Sequence, residues 1–428
     1  MKRVLLALAI LGLGAGGVEA QTVPDSSQAA KVQPAYRRTP TFRLDPFRQA
    51  MIPHWGFVFS AGALGENNAL SIADARAAIY LADKDSLAAG DALNILGLIP
   101  DGKGLKGSAS GEGGFSLGGP FGSHVNLVLS GQGRGYGFFQ LDDNLVALLR
   151  DGNASRPQFS VGNSKGAALA TAEAGAHAVL RFGPLGSEDG VNLNVGFGAR
   201  YIRPIAFAQL TTTATNSGVI VATGDSVYAD VGAVLAHTPS IDSTWKGSKA
   251  SLAGDFLVRL TWPTQGFALE AMVANLGHVT VHHVETDTYQ FKVNTTKLTA
   301  VRDSIDSLRT RGGAKDTGDV RLTLPRIVRF TASAWANRVL QVDVSATMPV
   351  HGDFEQPLSV DLGTTWRFVR TIPLRAGVVL GGDQGLGFTG GIAIEGRNMY
   401  WQFMGESLGG LFRNATGVGG RFELGIFF

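Results

Sequence analysis

The sequence predicts an all-β fold: a transmembrane antiparallel β-barrel of about 14 strands (roughly 12–16) with a short helical N-terminal insert. Alternating apolar and polar segments of about 10–13 residues recur along the chain, close to the length that crosses a bilayer at a tilt. No mature segment reaches the roughly 18 consecutive apolar residues of a spanning helix. Only a helix or a closed barrel pairs every backbone group in lipid, so a membrane protein without such a helix must be a barrel.

The N-terminus has the pattern of a secretory signal peptide over residues 1–20. Lys2 and Arg3 precede an apolar run over residues 4–13, and Val18-Glu19-Ala20 is a small-x-small cleavage site. The alternative, an N-terminal anchor, is disfavoured because the apolar run is too short to span a bilayer. We therefore predict export to the outer membrane. The chain has no cysteine, which excludes disulfides, thiolate metal ligands and thiol nucleophiles.

Composition adds two constraints. The formal net charge of +2 does not favour a nucleic-acid partner. Glycine occurs 58 times, which is well above the average usage of roughly 7%. These glycines are spread through strand-like segments, where they relieve crowding in a curved sheet.

The chain divides into a proline-rich N-terminal segment over residues 21–53 and a barrel over residues 54–428. Residues 65–106 differ from the rest of the barrel because they are alanine-rich and have helical spacing, with Ser86 as a candidate cap. This stretch predicts a helical insert that folds inward as a plug. Residues 284–320 form a long connection, and Leu298, Val301, Ile305 and Leu308 recur there at helical spacing. We predict a long extracellular loop with an amphipathic helix.

Charged residues alternate with the apolar face of the predicted strands. In a soluble sandwich the polar face would meet water, whereas in a membrane barrel it faces the lumen. Alternation alone does not separate the two, but the length of the segments favours the barrel. The predicted lumen-lining residues are Arg200, Asp230, Asp255, Arg259, Asp343, Asp361, Arg367, Glu395, Arg421 and Glu423.

The last strand is expected to close the barrel. Its apolar face consists of Phe422, Leu424, Ile426 and Phe428, and Arg421 and Glu423 lie on the opposite face. An aromatic-ended strand at the terminus is typical of the signal that the barrel-assembly machinery reads. The alternative is an ordinary terminal strand of a soluble sheet. The predicted partners are this machinery, outer-membrane lipid and a small hydrophobic solute.

Three patterns that could carry chemistry lack their required context. The glycine-rich run 131–137 has strand-like flanks rather than a strand, turn and helix. The patterns at 405–409 and 162–166 match the hydrolase elbow, but no histidine follows Ser407. His278, His282 and His283 cluster, but on a strand His283 points away from the other two. We therefore predict no catalytic, cofactor-binding or metal site and no enzymatic activity, with an outer-membrane hydrolase as a lesser alternative.

Four motifs resemble a group of uncharacterised outer-membrane barrels related to the FadL-type transporters of hydrophobic compounds. The motifs are ENNALS at 66–71, LNILGLIPDGKGLKGSAS at 93–110, DDNLVALLRDGN at 142–153 and LPRIVRF at 324–330. The resemblance implies about 14 strands, an N-terminal plug and a lateral opening for apolar solutes. This chain differs in that its mature N-terminus is proline-rich rather than immediately helical.

The leading hypothesis is an integral outer-membrane barrel that binds or passively passes small solutes, including hydrophobic ones. The alternative is a non-transporting scaffold for surface or secretion partners, with the loop over residues 284–320 as its docking surface. A secreted soluble β-protein is a lesser alternative.

Overall fold

The computed structural model describes most of the barrel. The described residues are 45–47, 50, 54–71, 73–74, 99, 104–144, 146–147, 158–160, 162, 164–185, 190–213, 219–223, 226–295, 309–311, 316–337, 339–354, 358–369, 371–381, 385–410 and 414–428. The predicted signal peptide, most of the proline-rich segment, most of the helical insert and the predicted loop helix lie outside these residues. Those assignments stay predictions.

The described chain contains 19 strand segments and one short helix within a single antiparallel sheet. The strands are β1 (Gly56–Asn67), β2 (Leu105–Phe121), β3 (Val125–Leu141), β4 (Gln158–Ser160), β5 (Lys165–Leu185), β6 (Val191–Thr213), β7 (Val219–Thr223), β8 (Ser226–His237), β9 (Ser251–Trp262), β10 (Phe267–Thr295), β11 (Arg309–Arg311), β12 (Asp316–Thr323), β13 (Arg326–Trp335), β14 (Leu340–His351), β15 (Ser359–Val369), β16 (Ile372–Gly381), β17 (Gly385–Glu395), β18 (Met399–Leu408) and β19 (Gly417–Phe427). The helix α1 is Ile241–Gly247. No helix in the described part of the chain is long and apolar enough to cross a membrane.

The sheet closes into a barrel with 14 strand positions, which confirms the predicted fold class. Closure occurs between β1 and β19, which pair from Gly56 opposite Phe427 to Glu66 opposite Gly417. The segments β8 and β9 share one position, because both lie between β6 and β10. β11, β12 and β13 share another position beside β10. The two extra strands, β4 and β7, pair with each other outside the closed ring.

The two ends of the barrel differ in their connections. At one end the strands are joined by tight connections such as residues 122–124, 263–266 and 396–398, and β1 begins and β19 finishes there. We call this the short-turn end. At the opposite, long-connection end, residues 68–104 and 142–164 join neighbouring wall strands. The connection after β15, residues 370–371, lies at the short-turn end as well.

The outer wall is apolar and the inner wall is largely polar, because alternate residues of each strand point to opposite faces. Exposed side chains on the outer wall include Phe57, Phe59, Leu129, Phe197, Phe256, Phe330, Phe388, Ile394, Phe403 and Ile426. Buried residues on the inner wall include Arg134, Glu173, Arg200, Asp255, Arg375, Arg421 and Glu423. Charged groups inside and apolar groups outside are the arrangement of a membrane barrel.

The predicted loop over residues 284–320 is shorter in the structure. Strand β10 continues to Thr295 and pairs with β8 from Glu285 to Thr295. Strand β12 already begins at Asp316. The difference arises because residues 285–288 are all polar and interrupt the apolar face of the strand, whereas Tyr289, Phe291 and Val293 resume the alternation beyond them.

Candidate functional site

The lumen has two levels built by the same strands. On β3, Arg134 and Tyr136 are two residues apart and both are buried, so they point inward at successive heights. On β6 the corresponding pair is Arg200 and Ile202. In each strand the charged residue is nearer the short-turn end and the apolar residue is nearer the long-connection end. The lumen therefore has a charged level toward the short-turn end and an apolar level toward the long-connection end. Below, a level nearer the short-turn end is said to lie beneath the other.

Arg200 is the centre of the charged level and is fully buried. Its Nε and one terminal nitrogen donate to the two carboxylate oxygens of Asp255, both at 2.8 Å, and its other terminal nitrogen donates to Glu173 at 2.7 Å. The guanidinium also donates to the side-chain oxygen of Asn275. His177 Nε2 lies 3.0 Å from Asp255. The guanidinium thus joins β5, β6, β9 and β10 through charge-assisted hydrogen bonds.

The charges continue around the wall in the other direction. Arg134 lies 3.5 Å from both Glu173 and Glu112. Glu112 accepts a hydrogen bond of 2.6 Å from Arg421 across the closure of the barrel. Arg421 lies 3.8 Å from Glu423. We call this chain of alternating carboxylates and guanidinium groups, together with the imidazole at its end, the charged belt. Its members are Glu423, Arg421, Glu112, Arg134, Glu173, Arg200, Asp255 and His177.

Two glycines make room for the charged belt. Gly62 of β1 lies between Arg421 and Glu112 in the strand register, and a Cβ there would lie 3.3 Å from the Arg421 side chain. A Cβ at Gly198 would lie 2.1 Å from the His177 ring. The belt can therefore cross these strands because the side chain is missing at both places.

The end of the proline-rich segment lies inside the barrel, beneath the belt. Asp45 forms an ion pair with Arg329 of β13 at 2.8 Å, and both side chains are buried. Phe47 has no exposed surface and packs in a buried cluster with residues of β3, β5, β9, β10 and β13. The ring of Phe47 meets His177 edge-on at 5.2 Å. The sequence suggested a plug only in residues 65–106, yet Asp45 and Phe47 of the proline-rich segment lie inside the lumen.

The apolar level forms one buried cluster above the belt, which we call the apolar cluster. Its members come from β3, β5, β6, β9, β10 and β12 and from the connections beside β12 and β14. They are Tyr136, Ala167, Leu169, Ile202, Phe207, Ala253, Val279, Val281, Val284, Leu322, Leu324 and Phe354. These apolar and aromatic side chains pack against one another inside the barrel.

The barrel wall is interrupted beside the apolar cluster. Residues 238–250 separate β8 from β9 at a single strand position, and α1 contacts β6 and β10 there. Arg203 of β6 stacks on the Trp245 ring of α1 at 4.4 Å and donates a hydrogen bond to the Trp245 carbonyl oxygen. Strand β10 has a bulge between Val281 and Val284 at the same height. Helix α1 thus covers a break in the hydrogen-bonded wall.

The other predicted lumen residues lie in separate groups. Arg375 pairs with Asp343 at 2.5 and 2.8 Å and with Asp361 at 2.9 Å. Arg367 pairs with Glu395 at 2.7 Å. Arg259 lies 3.6 Å from Glu270. The backbone of Asp230 belongs to β8, but its side chain lies outside the described part of the chain.

The two faces of the terminal strand have different surroundings: one faces the lumen and the other lies on the outer wall. Glu423 is buried and accepts a hydrogen bond from the Tyr400 hydroxyl. Ile426 and Phe428 are 52% and 75% exposed, whereas Phe422 and Leu424 are half-buried. Phe427 points to the opposite face and stacks on Tyr400 at 5.5 Å.

Sequence reasoning missed Glu112, Arg134, Glu173 and His177 of the belt. A signal was present for two of them. Arg134 is the only charged residue of β3, and Glu173 lies in an alanine-rich stretch of β5. A single charge within a long uncharged strand is expensive unless it is paired. Such a residue therefore predicts a buried ionic partner.

The motifs that resemble enzyme signatures are parts of the barrel wall. Ser407 lies within β18 and donates to the Gly410 carbonyl oxygen at 2.8 Å. Ser164 immediately precedes β5 rather than a helix. The three histidines have different surroundings: His278 lies 3.2 Å from Arg321, His282 lies 2.8 Å from Asp319, and His283 lies beside Gly247.

No protein-family description matches the sequence, and no curated protein matches it. Among solved structures, the fold is similar to that of a TodX deltaS2S3 mutant, a monoaromatic hydrocarbon channel, with a TM-score of 0.51 and 8% identity over 90% of this chain and 93% of that chain. The toluene transporter TbuX of Ralstonia pickettii aligns with a TM-score of 0.47 and 10% identity over 90% and 93% of the two chains. A FadL homologue of Pseudomonas aeruginosa aligns with a TM-score of 0.42 and 12% identity over 89% and 91%. The likeness to the TodX mutant confirms, at the level of the fold, the resemblance that the motifs indicated.

Proposed function

We propose that the protein is an integral outer-membrane barrel that passively passes small hydrophobic solutes. The observation that carries this proposal is the apolar cluster, which is enclosed by the wall, lies above the charged belt and adjoins the break between β8 and β9. The TodX fold neighbour is a monoaromatic hydrocarbon channel. That neighbour supports the class of solute proposed here.

The proposed route leaves the barrel sideways. An apolar solute that continued along the axis would have to pass the buried ion pairs around Arg200 and then the segment that carries Asp45 and Phe47. Separating buried charges without new partners is costly. The break at residues 238–250 offers the alternative, because α1 rather than a hydrogen-bonded strand covers it. A solute that displaces α1 reaches the lipid without crossing the belt.

The same proposal includes the location and the general partners. The apolar outer wall, with exposed residues such as Phe197 and Phe388, supports insertion into lipid. The terminal strand supports recognition by the barrel-assembly machinery. We propose a channel rather than an enzyme, because the solved neighbours carry the names of transporters and channels.

Filling the apolar cluster tests the proposal. Ala167 of β5 is buried in the cluster, whereas the next residue, Ala168, is exposed on the outer wall. Cells that produce the wild-type protein are expected to take up a radiolabelled monoaromatic solute faster than cells with an empty vector. Ala167→Phe is expected to reduce this uptake to the vector level, and Ala168→Phe is expected to leave it unchanged.

Two results would contradict the proposal. Equal uptake by wild-type and Ala167→Phe cells would exclude a route through the apolar cluster. Uptake at the vector level with wild-type protein present would favour the scaffold alternative. Fractionation of the same cells supplies the control, because both variants must be recovered with the outer membrane.

A further inference from the structure

The first residues of the connection between β14 and β15, up to Phe354, fold into the lumen. The Asp353 backbone nitrogen donates to the Thr323 carbonyl oxygen at 3.1 Å, and the Thr323 nitrogen donates to the Asp353 side chain at 2.5 Å. This reciprocal pair fastens the connection to the end of β12. The next residue, Phe354, is only 3% exposed. An aromatic side chain from a connection is thereby held inside the barrel.

Phe354 lies among the aromatic residues of β3. Its ring centre is 6.0 Å from that of Tyr136 in a tilted arrangement and 6.3 Å from that of Phe138 edge-on. These are favourable geometries for aromatic pairs. Most members of the apolar cluster project from wall strands, but Phe354 comes from the long-connection end. It fills space within the cluster that the wall itself does not fill.

The hydrogen bonds that hold Phe354 in place are easier to break than the packing of the apolar cluster. Asp353 is exposed, and its two hydrogen bonds to Thr323 are those described above. Water can replace both bonds at little net cost. The contacts that Phe354 makes are apolar and aromatic, so another apolar ring can replace them. We call the two hydrogen bonds between Asp353 and Thr323 the clamp. The clamp is weak, and it holds in place the apolar Phe354 side chain, whose contacts a solute can replace.

We propose that Phe354 is a gate that occupies the place of the solute, and that an incoming solute displaces it from between Tyr136 and Phe138. This inference rests on the proposed function and adds to it a specificity-determining residue. The ring of Phe354 sets the size of solute that the cluster accepts. Opening of the gate requires release of Asp353 from Thr323.

Benzene binding tests whether Phe354 fills a site for a ring. Phe354→Ala leaves a ring-sized apolar space, and dry cavities of this kind bind benzene. The matched control is Phe330→Ala, which removes the same ring from β13, where Phe330 is 47% exposed on the outer wall. Full-length proteins are purified in detergent and heated with increasing benzene. We expect benzene to raise the unfolding temperature of Phe354→Ala by several degrees, since a ligand stabilises the state that it binds.

The same titration contains the result that would overturn the inference. The wild type and Phe330→Ala are expected to show a smaller shift than Phe354→Ala, because in both proteins benzene must first displace Phe354. If Phe354→Ala shows no larger shift than these two proteins, Phe354 does not occupy a solute site. A shift of equal size in wild type and Phe354→Ala would overturn it as well.

A second variant tests the clamp and does not depend on the folding of Phe354→Ala. Asp353→Ala keeps the aromatic ring but removes the side-chain acceptor of the Thr323 nitrogen. We expect severalfold faster uptake of the radiolabelled solute in cells, and unchanged uptake would reject the gate. If wild type mediates uptake and Ala167→Phe abolishes it while Asp353→Ala has no effect, the proposed function stands and only the gate fails. If Phe354→Ala binds benzene but wild type mediates no uptake, the occupied site stands and the proposed function fails.

Discussion

The two sides of the barrel differ in the length of their strands. On one side β2, β3, β5, β6 and β10 have 17, 17, 21, 23 and 29 residues. On the other side β14 to β19 have 10 to 12 residues each. A tilted strand needs about 9–11 residues to cross a bilayer. The short-strand side is therefore only as tall as a membrane requires, and the long-strand side extends beyond it.

The long-strand side carries the features of the candidate site. The apolar cluster draws most of its residues from β3, β5, β6 and β10. The break covered by α1 lies between β6 and β10. On the short-strand side Arg421 and Glu423 of β19 belong to the charged belt, but Arg375, Asp343 and Asp361 of β14 to β16 form a separate ionic group. The difference teaches that closing the barrel needs only short strands, and that the longer strands build a second level in the lumen.

The largest expected difference between the sides concerns their buried arginines. Arg200→Met leaves the carboxylates of Glu173 and Asp255 buried without their main partner, and both side chains are inaccessible to solvent. We expect a loss of about 3–5 kcal/mol in the free energy of unfolding. Arg375→Met should cost less, because the Asp361 side chain retains 29% exposure and can be hydrated. Urea unfolding in lipid vesicles measures both losses.

Equal losses for the two arginine variants would mean that the charged belt is no more tightly coupled than an isolated group. In that case a continuous ionic network would contribute no more to the free energy of unfolding than a local group does. A double variant of Arg200 and Arg134 supplies a further check. Members of one network are expected to give non-additive losses.

The outer wall should not share the asymmetry of the interior. Phe197 of β6 is 50% exposed and Phe388 of β17 is 37% exposed, and both lie at a similar distance along the strand from the short-turn end. Replacing either with lysine should cost about 2–4 kcal/mol if each faces the middle of the bilayer. Phe368→Lys, close to the short-turn end, should cost only about 0–1 kcal/mol. Folding into vesicles under urea measures the three values, and a cost at one of the two mid-strand positions only would contradict a uniform lipid-facing wall.

The closed barrel could be predicted from the sequence because it depends on local alternation. The terminal strand shows this, since Arg421 and Glu423 alternate with Phe422 and Leu424 along the chain itself. A strand can be assigned to the barrel wall from its own alternation of side chains and its own length. This is why the strand number and the fold class were recovered.

The two levels of the lumen could not be predicted, because they depend on register between distant strands. Arg421 meets Glu112 only after the barrel has closed, when both lie beside Gly62. The residues of β8 and β9 appear in sequence as two ordinary strands, and only their common neighbours β6 and β10 reveal a broken position. Phe47 likewise lies in a proline-rich segment with no periodic pattern, and its burial depends on pockets from several strands.

The smallest expected effect on stability is that of a substitution in α1. Its effect on solute uptake should distinguish the long-strand side from the short-strand side. Trp245→Ala removes the ring that stacks on Arg203 but keeps the carbonyl acceptor. An exposed cation–π contact is worth about 0.5–1 kcal/mol, and Trp245 is 42% exposed, so the unfolding free energy should fall by no more than this. Solute uptake should nevertheless rise, because α1 covers the proposed exit and is held to β6 by this contact.

The matched control for Trp245→Ala lies on the short-strand side. Trp366 belongs to β15, whose backbone pairs without a break with β14 over Thr347 to Leu340. Trp366→Ala removes the same ring from a closed wall, so uptake should stay at the wild-type rate. A rise in both variants would mean that loss of a tryptophan loosens the barrel in general. A rise confined to Trp245→Ala would assign the lateral path to the break. The reason is that Trp245 belongs to the helix that covers the break, whereas Trp366 belongs to a continuous strand.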